Sequence, residues 1–206
     1  MSGLIHSWYP GQNGNTAVAE ALFGDLNPSG RLPDTFEKRF DDSPAFGHYP
    51  GSSDNGGKVE YKEGIYVGYR WYDKKSIAPR FPFGFGLSYT DFSMQDLKMS
   101  KKNDGFVASV DVTNTGKRAG TAVVQLYVKP INSSIDRPVQ ELKGFARVQL
   151  EPGETKTVQL PLNADSFATF DVKTHSWVSP AGQYEIAIGS SSREIHCAQT
   201  VKWDKP

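Results

Sequence analysis

Chemistry in a folded chain needs particular side chains brought together, and this sequence of 206 residues offers few such groupings. Its four histidines, His6, His48, His175 and His196, stand alone, without the spacing that brings two onto one metal. The single Cys197 excludes an internal disulfide and any cysteine-based zinc site. Gly84-Phe85-Gly86 lacks the third glycine and the strand-to-helix setting of a dinucleotide fingerprint. Neither a Gly-x-Ser-x-Gly elbow nor a phosphate loop occurs. Asp41 with Asp42 and Glu60 with Glu63 form carboxylate pairs, but in polar, turn-rich sequence that reads as solvated surface. Asn132-Ser133-Ser134 fits the glycosylation triplet, a pattern frequent by chance.

The aromatic stretch Tyr66 to Tyr72 has two readings, a platform on which sugar rings stack or a half-buried strand whose rings join a core. The second is the commoner use of large aromatics. Arg70 can clamp a ligand, yet among aromatics it is expected to stack or to pair with Glu63 or Asp73. No residue is therefore assigned as catalytic or as a metal ligand, no substrate-binding set is defined, and no cofactor is implied.

Charge and composition narrow the classes further. Lys+Arg 23 against Asp+Glu 23 leaves no basic surplus for a phosphate backbone, so a nucleic-acid partner is not expected. No apolar run approaches the roughly 18–20 residues that span a bilayer, so no membrane partner is expected either. Hydrophobic residues at 37% together with the 20 glycines give an ordinary globular mix rather than a disordered one. Met-Ser-Gly-Leu-Ile-His at the start lacks the charged and apolar regions of a signal peptide, and localisation stays open.

The elements that would position these residues fall into unlike regions. Leu4-Ile5-His6-Ser7-Trp8, stopped by Tyr9-Pro10-Gly11, predicts a short buried strand. Asn15 is the expected N-cap of a helix over Thr16 to Phe23, with Gly24 at its left-handed C-terminal end and Asn27-Pro28-Ser29-Gly30 as the next turn. One strand–helix unit belongs in a parallel sheet, and no second unit follows, so the unit reads as a remnant of something larger. Asp54-Asn55-Gly56-Gly57 is a turn signal, and Val59 to Tyr72 alternates like a strand. Arg80 to Tyr89 must be irregular backbone, with Gly84 and Gly86 permitting positive φ and aromatics that need burial in a groove between larger bodies.

From Ser93 to Trp203 the pattern is all-β. Phe106, Ala108, Val110 and Val112 alternate up to the turn Asn114-Thr115-Gly116, and Ala122, Val124, Leu126 and Val128 alternate after it. Leu142, Phe145, Val148 and Leu150 form the next run, then Val158, Leu160 and Leu162 beyond Glu151-Pro152-Gly153-Glu154. Phe167, Phe170 and Trp177 follow, then Tyr184, Ile186 and Ile188, and lastly Ile195, Cys197 and Val201. About seven short strands with regular turn signals predict a β-sandwich of immunoglobulin type.

Longer motifs carry a family resemblance. Trp8-Tyr9-Pro10-Gly11-Gln12, Ala17-Val18-Ala19-Glu20-Ala21-Leu22-Phe23-Gly24 and Asn27-Pro28-Ser29-Gly30-Arg31-Leu32-Pro33 resemble the end of the second domain of glycoside hydrolase family 3, whose members are β-glucosidases and related exo-acting hydrolases. Glu63 to Arg70 and Phe81 to Tyr89 are similar to the connector that follows it. Val112 to Gly116, Val124 to Val128, Arg137-Pro138, Glu141 to Phe145 and Leu150 to Glu154 resemble the fibronectin type III-like domain of that family.

The resemblance implies a mainly β chain with three parts. Residues 1–36 would be the C-terminal remnant of an α/β sandwich domain, 37–92 an irregular aromatic-rich connector, and 93–206 a fibronectin type III-like β-sandwich. It also implies retaining hydrolysis of β-glycosides by an Asp nucleophile and a Glu acid/base, whose carboxyls must lie about 5–5.5 Å apart. In the family both come from regions upstream of Trp8, so neither role transfers to Glu60, Glu63 or any other residue here. The implied partners are the barrel and α/β sandwich domains of the parent hydrolase, with a β-glucoside substrate only in that parent. A different class remains open, an independent carbohydrate-binding or adhesion module using Trp71, Tyr69 and Trp8 as stacking rings. The sandwich can bury its own alternating face, whereas Leu4 to Trp8 and its helix lack neighbours, so roughly the first 90 residues are expected to be trimmed fastest by a protease.

Overall fold

The computed structural model describes residues 3–48, 59–102 and 104–204. Nine strands follow in chain order: β1 (Phe92–Lys102), β2 (Gly105–Asn114), β3 (Gly120–Ile131), β4 (Glu141–Leu150), β5 (Thr155–Leu162), β6 (Thr169–Asp171), β7 (Ser176–Val178), β8 (Gly182–Gly189) and β9 (Ile195–Trp203). One sheet has the order β1-β2-β5, the other β4-β3-β8-β9, and β6 and β7 form a separate hairpin. Every pairing is antiparallel. The two sheets face each other as the expected β-sandwich.

The core follows from alternation of period two. Ala108, Val110 and Val112 of β2 meet Val124, Leu126 and Val128 of β3 and Ile186 and Ile188 of β8, all removed from solvent. Each such Val, Leu or Ile contributes about 1.5–3 kcal/mol relative to exposure, before the entropy of ordering it. One end is closed by aromatics, where Phe167 stacks on Trp203 at 4.5 Å and meets Tyr184 edge to face at 5.0 Å.

Two departures from the sequence pattern have a common cause. β1 was hidden because its register shifts between Gln95 and Lys98, where Asp96 takes φ 56°. Met94 packs inward before the bulge, Leu97 and Met99 after it, so the apolar residues change parity within one strand. In β4 the shift opposite Leu126 and Tyr127 places Gly144 toward the core, where a Cβ would touch Leu160 and Leu126. Lys143 and Phe145 therefore point outward. Phe145, one of the apolar run Leu142 to Leu150, is 65% exposed.

The region before the sandwich differs more. Leu4 to Trp8 is not a strand. Leu4 and Ile5 are exposed and Trp8 has φ 52°, because the described residues offer no neighbouring strand to take its backbone groups. α1 (Gly14–Phe23) starts two residues before the expected Thr16, after Asn13, with no side-chain cap and with Asn15 inside the helix. Gly24 does close it in the left-handed conformation, φ 84°. The turn expected at Asp54 to Gly57 lies outside the described residues.

Val59 to Tyr72 is not a strand either. Residues 62–65 turn, Gly68 takes φ 54°, and α2 (Tyr69–Lys74) follows. A six-residue helix is too short to hold itself in water. Packing forms it: Tyr72 is buried, and the Trp71 indole donates to Asp42 O at 3.1 Å. The stretch from Arg80 to Tyr89 is largely irregular, as expected, with a single bridge from Phe81 to Phe36. Residues 32–36 run beside it, Leu32 N donating to Phe85 O at 2.9 Å and Gly84 N to Leu32 O at 2.8 Å. Only Gly84 needs positive φ; Gly86 is required instead because a Cβ there would lie 2.4 Å from Gly30 O.

These ties shorten the segment expected to be protease-sensitive. Limited trypsin digestion should cut first before Gly68, for example after the exposed Arg39 and Lys62, while the part from Tyr69 to Trp203 persists. Mass spectrometry of the first fragments checks this, and an equally early cut within β1 to β9 would contradict it.

Candidate functional site

The outer face of the four-stranded sheet is where the parts of the chain meet. At its centre Gln125 of β3 is only 3% exposed. Its Nε2 donates to Ser190 O at 2.6 Å and to Gly84 O at 3.2 Å, and its Oε1 accepts from the Tyr127 hydroxyl at 2.6 Å. Both ends of the carboxamide are satisfied without water, which is the condition for burying it at little cost. Gly84 makes the approach feasible, since a Cβ there would sit 2.2 Å from Gln125 Oε1. Around this node Tyr69 stacks on Phe83 at 5.0 Å and meets Tyr127 edge to face at 6.1 Å. The Tyr69 hydroxyl accepts from Leu142 N at 2.9 Å, and Ser192 N donates to Phe83 O at 2.9 Å.

A second set of bonds holds the α1 region to the sandwich. Asn27 Nδ2 donates to Ala119 O at 2.9 Å, while its Oδ1 accepts from Ser88 Oγ at 2.9 Å and Tyr89 N at 2.8 Å. The Tyr89 hydroxyl donates to Ala21 O at 2.6 Å, and Arg118 donates to Gly24 O while lying over the Tyr89 ring. Below them the fully buried Asn114 donates to Arg118 O at 2.7 Å and to Leu150 O at 3.1 Å, and accepts from Thr90 Oγ1 at 2.7 Å. Asn27 thus ties the chain after α1 to the β2–β3 loop, and Gln125 and Asn114 tie residues 83–90 to β3 and β2.

Charged groups line the edge of the same face. Glu141, at the start of β4, has Arg137 at 3.2 Å, Arg70 at 3.4 Å and Lys143 at 3.7 Å. Arg137 is buried, donates to Phe167 O at 3.1 Å and lies over the Tyr184 ring. Burial pushes the Lys143 ammonium below the ordinary lysine range; Glu141 opposes that, and Arg137 and Arg70 add to it. Asp73 is paired with Arg193 at 2.9 Å and with Gln140 at 2.9 Å, and burial raises its carboxyl despite both.

Several expectations are redirected here. Arg70 pairs with Glu141, not with Glu63 or Asp73, because α2 turns it toward β4. Tyr69 is used inside the fold and the Trp71 indole is bonded to the backbone, while Trp8 sits against His6 and Phe36. The three rings proposed as a sugar platform are not gathered on one face. Glu60 pairs with Lys62, and Asp41 with Arg39, at the surface. Among the described residues no group of three His, Cys, Asp or Glu is placed to hold a metal, and no helix is long and apolar enough to cross a membrane. An open depression of about 470 Å³ by Asp136 has its cations already paired, Lys74 with Asp136 at 2.6 Å and Lys129 with Glu185 at 3.4 Å. Gln125, Asn27 and Asn114 escaped the sequence reading; the one signal was a glutamine between Val124 and Leu126 in an otherwise apolar strand.

Residues 1–69 match the family described as the glycosyl hydrolase family 3 C-terminal domain, and residues 122–192 match the fibronectin type III-like domain. The thermostable β-glucosidase B of Acetivibrio thermocellus is 44% identical over 98% of this chain and 27% of its own length. A β-glucosidase of Rhizobium radiobacter is 43% identical, over 98% of this chain and 25% of its own. The crystal structure of the Kluyveromyces marxianus β-glucosidase in complex with glucose superposes with a TM-score of 0.91 at 41% identity, over 96% of this chain and 24% of that one. β-Glucosidase 3B of Thermotoga neapolitana in complex with α-D-glucose gives 0.85 at 42% identity, over 93% and 27%. The chain therefore spans about a quarter of the length of the relatives it matches.

Replacing Gly84 by alanine adds left-handed strain to a clash with Gln125, and should cost about 2–4 kcal/mol in urea unfolding. Gly153→Ala, with φ 75° and nothing within 4 Å, should cost only about 1–2 kcal/mol. Equal losses would mean that the approach to Gln125 is not tight. Burial pushes the Tyr72 phenol up to about 12, with Glu37, Asp42 and Asp34 adding to it, and burial raises Tyr127 as well. An unfolded tyrosine ionises near 10, so the stability these phenols lend is complete below about pH 10 and is lost as pH climbs toward 12. Phenolate absorbance and circular dichroism should show ionisation of these two with unfolding, and Tyr72→Phe should move alkaline unfolding to higher pH.

Proposed function

The chain belongs to glycoside hydrolase family 3, corresponding to the C-terminal part of its β-glucosidases, and on that premise we propose that it buttresses the catalytic portion of a retaining β-glucosidase without supplying a reactive carboxylate. The observation carrying this reading is an asymmetry of burial. The sandwich is closed on its own core, whereas the region before it leaves Tyr9 fully exposed and Phe23 86% exposed, with Leu4 and Tyr61 also bare. Large apolar side chains left bare in such number suit a region that another body covers. The bonds through Gln125, Asn27 and Asn114 fix that face to the sandwich, so a force on one is borne by the other.

In this reading residues 1–36 complete an α/β sandwich domain, 37–92 form the connector and 93–206 the fibronectin type III-like part. The family match over residues 1–69 supports the origin of the first region in that C-terminal domain. The partners are the barrel and the remainder of the α/β sandwich domain, the substrate of the assembled enzyme is a β-glucoside, and neither nucleic acid nor a membrane takes part. The nucleophile and acid/base, about 5–5.5 Å apart in a retaining enzyme, come from the upstream polypeptide. Glu60, paired with Lys62 at the surface, is not in a setting that raises an acid toward neutral pH.

An aryl β-glucoside tests this. The purified chain alone should give no turnover. The Acetivibrio thermocellus enzyme cut back before its matched quarter should lose at least tenfold in kcat/KM, and a hybrid in which this chain replaces that quarter should recover it. Turnover by the chain alone, abolished by Glu60→Gln or Glu63→Gln, would overturn the proposal, as would full activity of the shortened relative.

A further inference from the structure

The charges on the outer face of the four-stranded sheet do not balance. Three cations, Arg70, Arg137 and Lys143, converge on the single carboxylate of Glu141 at 3.2–3.7 Å. Arg137 is buried and held by Glu141, by the carbonyls of Phe167 and Ala168 and by the Tyr184 ring, with only its Nε left without a partner. Arg70 and Lys143 are left sharing one oxygen, Glu141 Oε1, which neutralises at most one of them. Among the described residues, the neighbouring acids Asp73, Asp136 and Glu185 are committed to Arg193, Lys74 and Lys129. The Lys143 side chain is only 18% exposed and that of Arg70 33%, so water screens this excess poorly.

Beside it stands an unexplained apolar group. Phe145, two residues along β4 from Lys143, faces outward by virtue of the inward Gly144, and most of its surface is bare. β4 is an edge strand of its sheet, so nothing of this sheet lies beyond it. An exposed ring next to a half-buried, under-neutralised cation pair is the complement of one particular chemistry: a carboxylate carried next to an apolar side chain.

We propose that Arg70, Lys143 and Phe145 form a receiving site for an acidic side chain flanked by an apolar one on the upstream polypeptide, locking the sandwich edge to the catalytic portion. The proposal rests on the reading that such a polypeptide covers this chain. The occupant is identified by charge: three cations face one carboxylate, so two positive charges are in excess, an added carboxylate offsets one of them, and about three quarters of the length of the matched relatives is available to supply it. Its carboxylate would accept from the Arg70 guanidinium and the Lys143 ammonium, freeing Glu141 to serve Arg137 alone.

The full chain can be titrated with 3-phenylpropionate, which carries both a carboxylate and a ring, with the neutral 3-phenyl-1-propanol, and with inorganic phosphate, following Lys143 and Phe145 by NMR. The acid should bind saturably and about tenfold or more tighter than the alcohol, as a charge-assisted bond requires. Arg70→Met and Lys143→Met should each weaken it about fivefold or more, and Lys143→Met should leave the thermal midpoint of the chain unchanged or raised. No saturable binding, equal binding of the alcohol, or tighter binding of phosphate would overturn the proposal. So would a fall in thermal midpoint with Lys143→Met as large as that with Glu141→Gln, which would make Lys143 merely an internal partner. In the hybrid enzyme Lys143→Met and Phe145→Ser should lower the midpoint more than they do in the chain alone; equal effects would overturn the assignment of the occupant. A hybrid that fails before any substitution signals instead that the buttressing reading is wrong, and this proposal falls with it.

Discussion

One buried carboxamide decides whether this chain is one body or two. Gln125 lies in the middle of a sheet face that would otherwise be open, and its side chain bonds the connector at Gly84 and the β8–β9 turn at Ser190. A buried amide with an unmet donor costs about 1–3 kcal/mol, so the sheet and the connector stabilise each other or neither is comfortable. The aromatic layer of Tyr69, Phe83 and Tyr127 packs around that bond and keeps water from competing for it. α2 exists because of this layer; six residues would not stay helical alone.

The same constraint accounts for the distribution of exposed apolar groups. The centre of the outer sheet face is closed by bonds around Gln125, while among the described residues the α1 region is tied through Ala21, Gly24, Asn27 and Ser29 to Tyr89, Arg118, Ala119 and Arg147. The sandwich thus acts as a rigid base, and the elements it carries present their apolar sides outward. A support built this way transmits position through backbone carbonyls and amides, which move little, in preference to long surface side chains that sample many rotamers.

Much of this was legible in the sequence, for reasons that differ by element. The strands from Phe106 onward announced themselves because one face is buried and the side-chain period is two. Where a bulge changes the parity, as at Asp96 or beside Gly144, alternation no longer marks the strand or says which of its apolar residues, such as Phe145, face outward. Leu4 to Trp8 and Val59 to Tyr72 read as strands because apolar and aromatic runs have no way of showing whether a partner strand is present. Arg70 found Glu141 rather than a neighbour in sequence, since ion pairs depend on which surfaces meet and not on spacing along the chain. Gln125 and the two asparagines were invisible for the same reason: a polar residue in a strand or turn is ordinary until something is placed against it.

The bonds that dock the α1 region reach far along the chain. Asn27 meets a carbonyl 92 residues later and Arg147 reaches a serine 118 residues earlier. Closing loops of that size is slow, and it cannot begin until β3 and β4 exist to receive the contacts. During synthesis the first segment leaves the ribosome before its dock has been made, with its apolar side chains uncovered meanwhile. Its neighbours at that moment decide whether it waits or aggregates, so the order in which the polypeptide emerges becomes a determinant of yield that no inspection of the finished contacts would reveal.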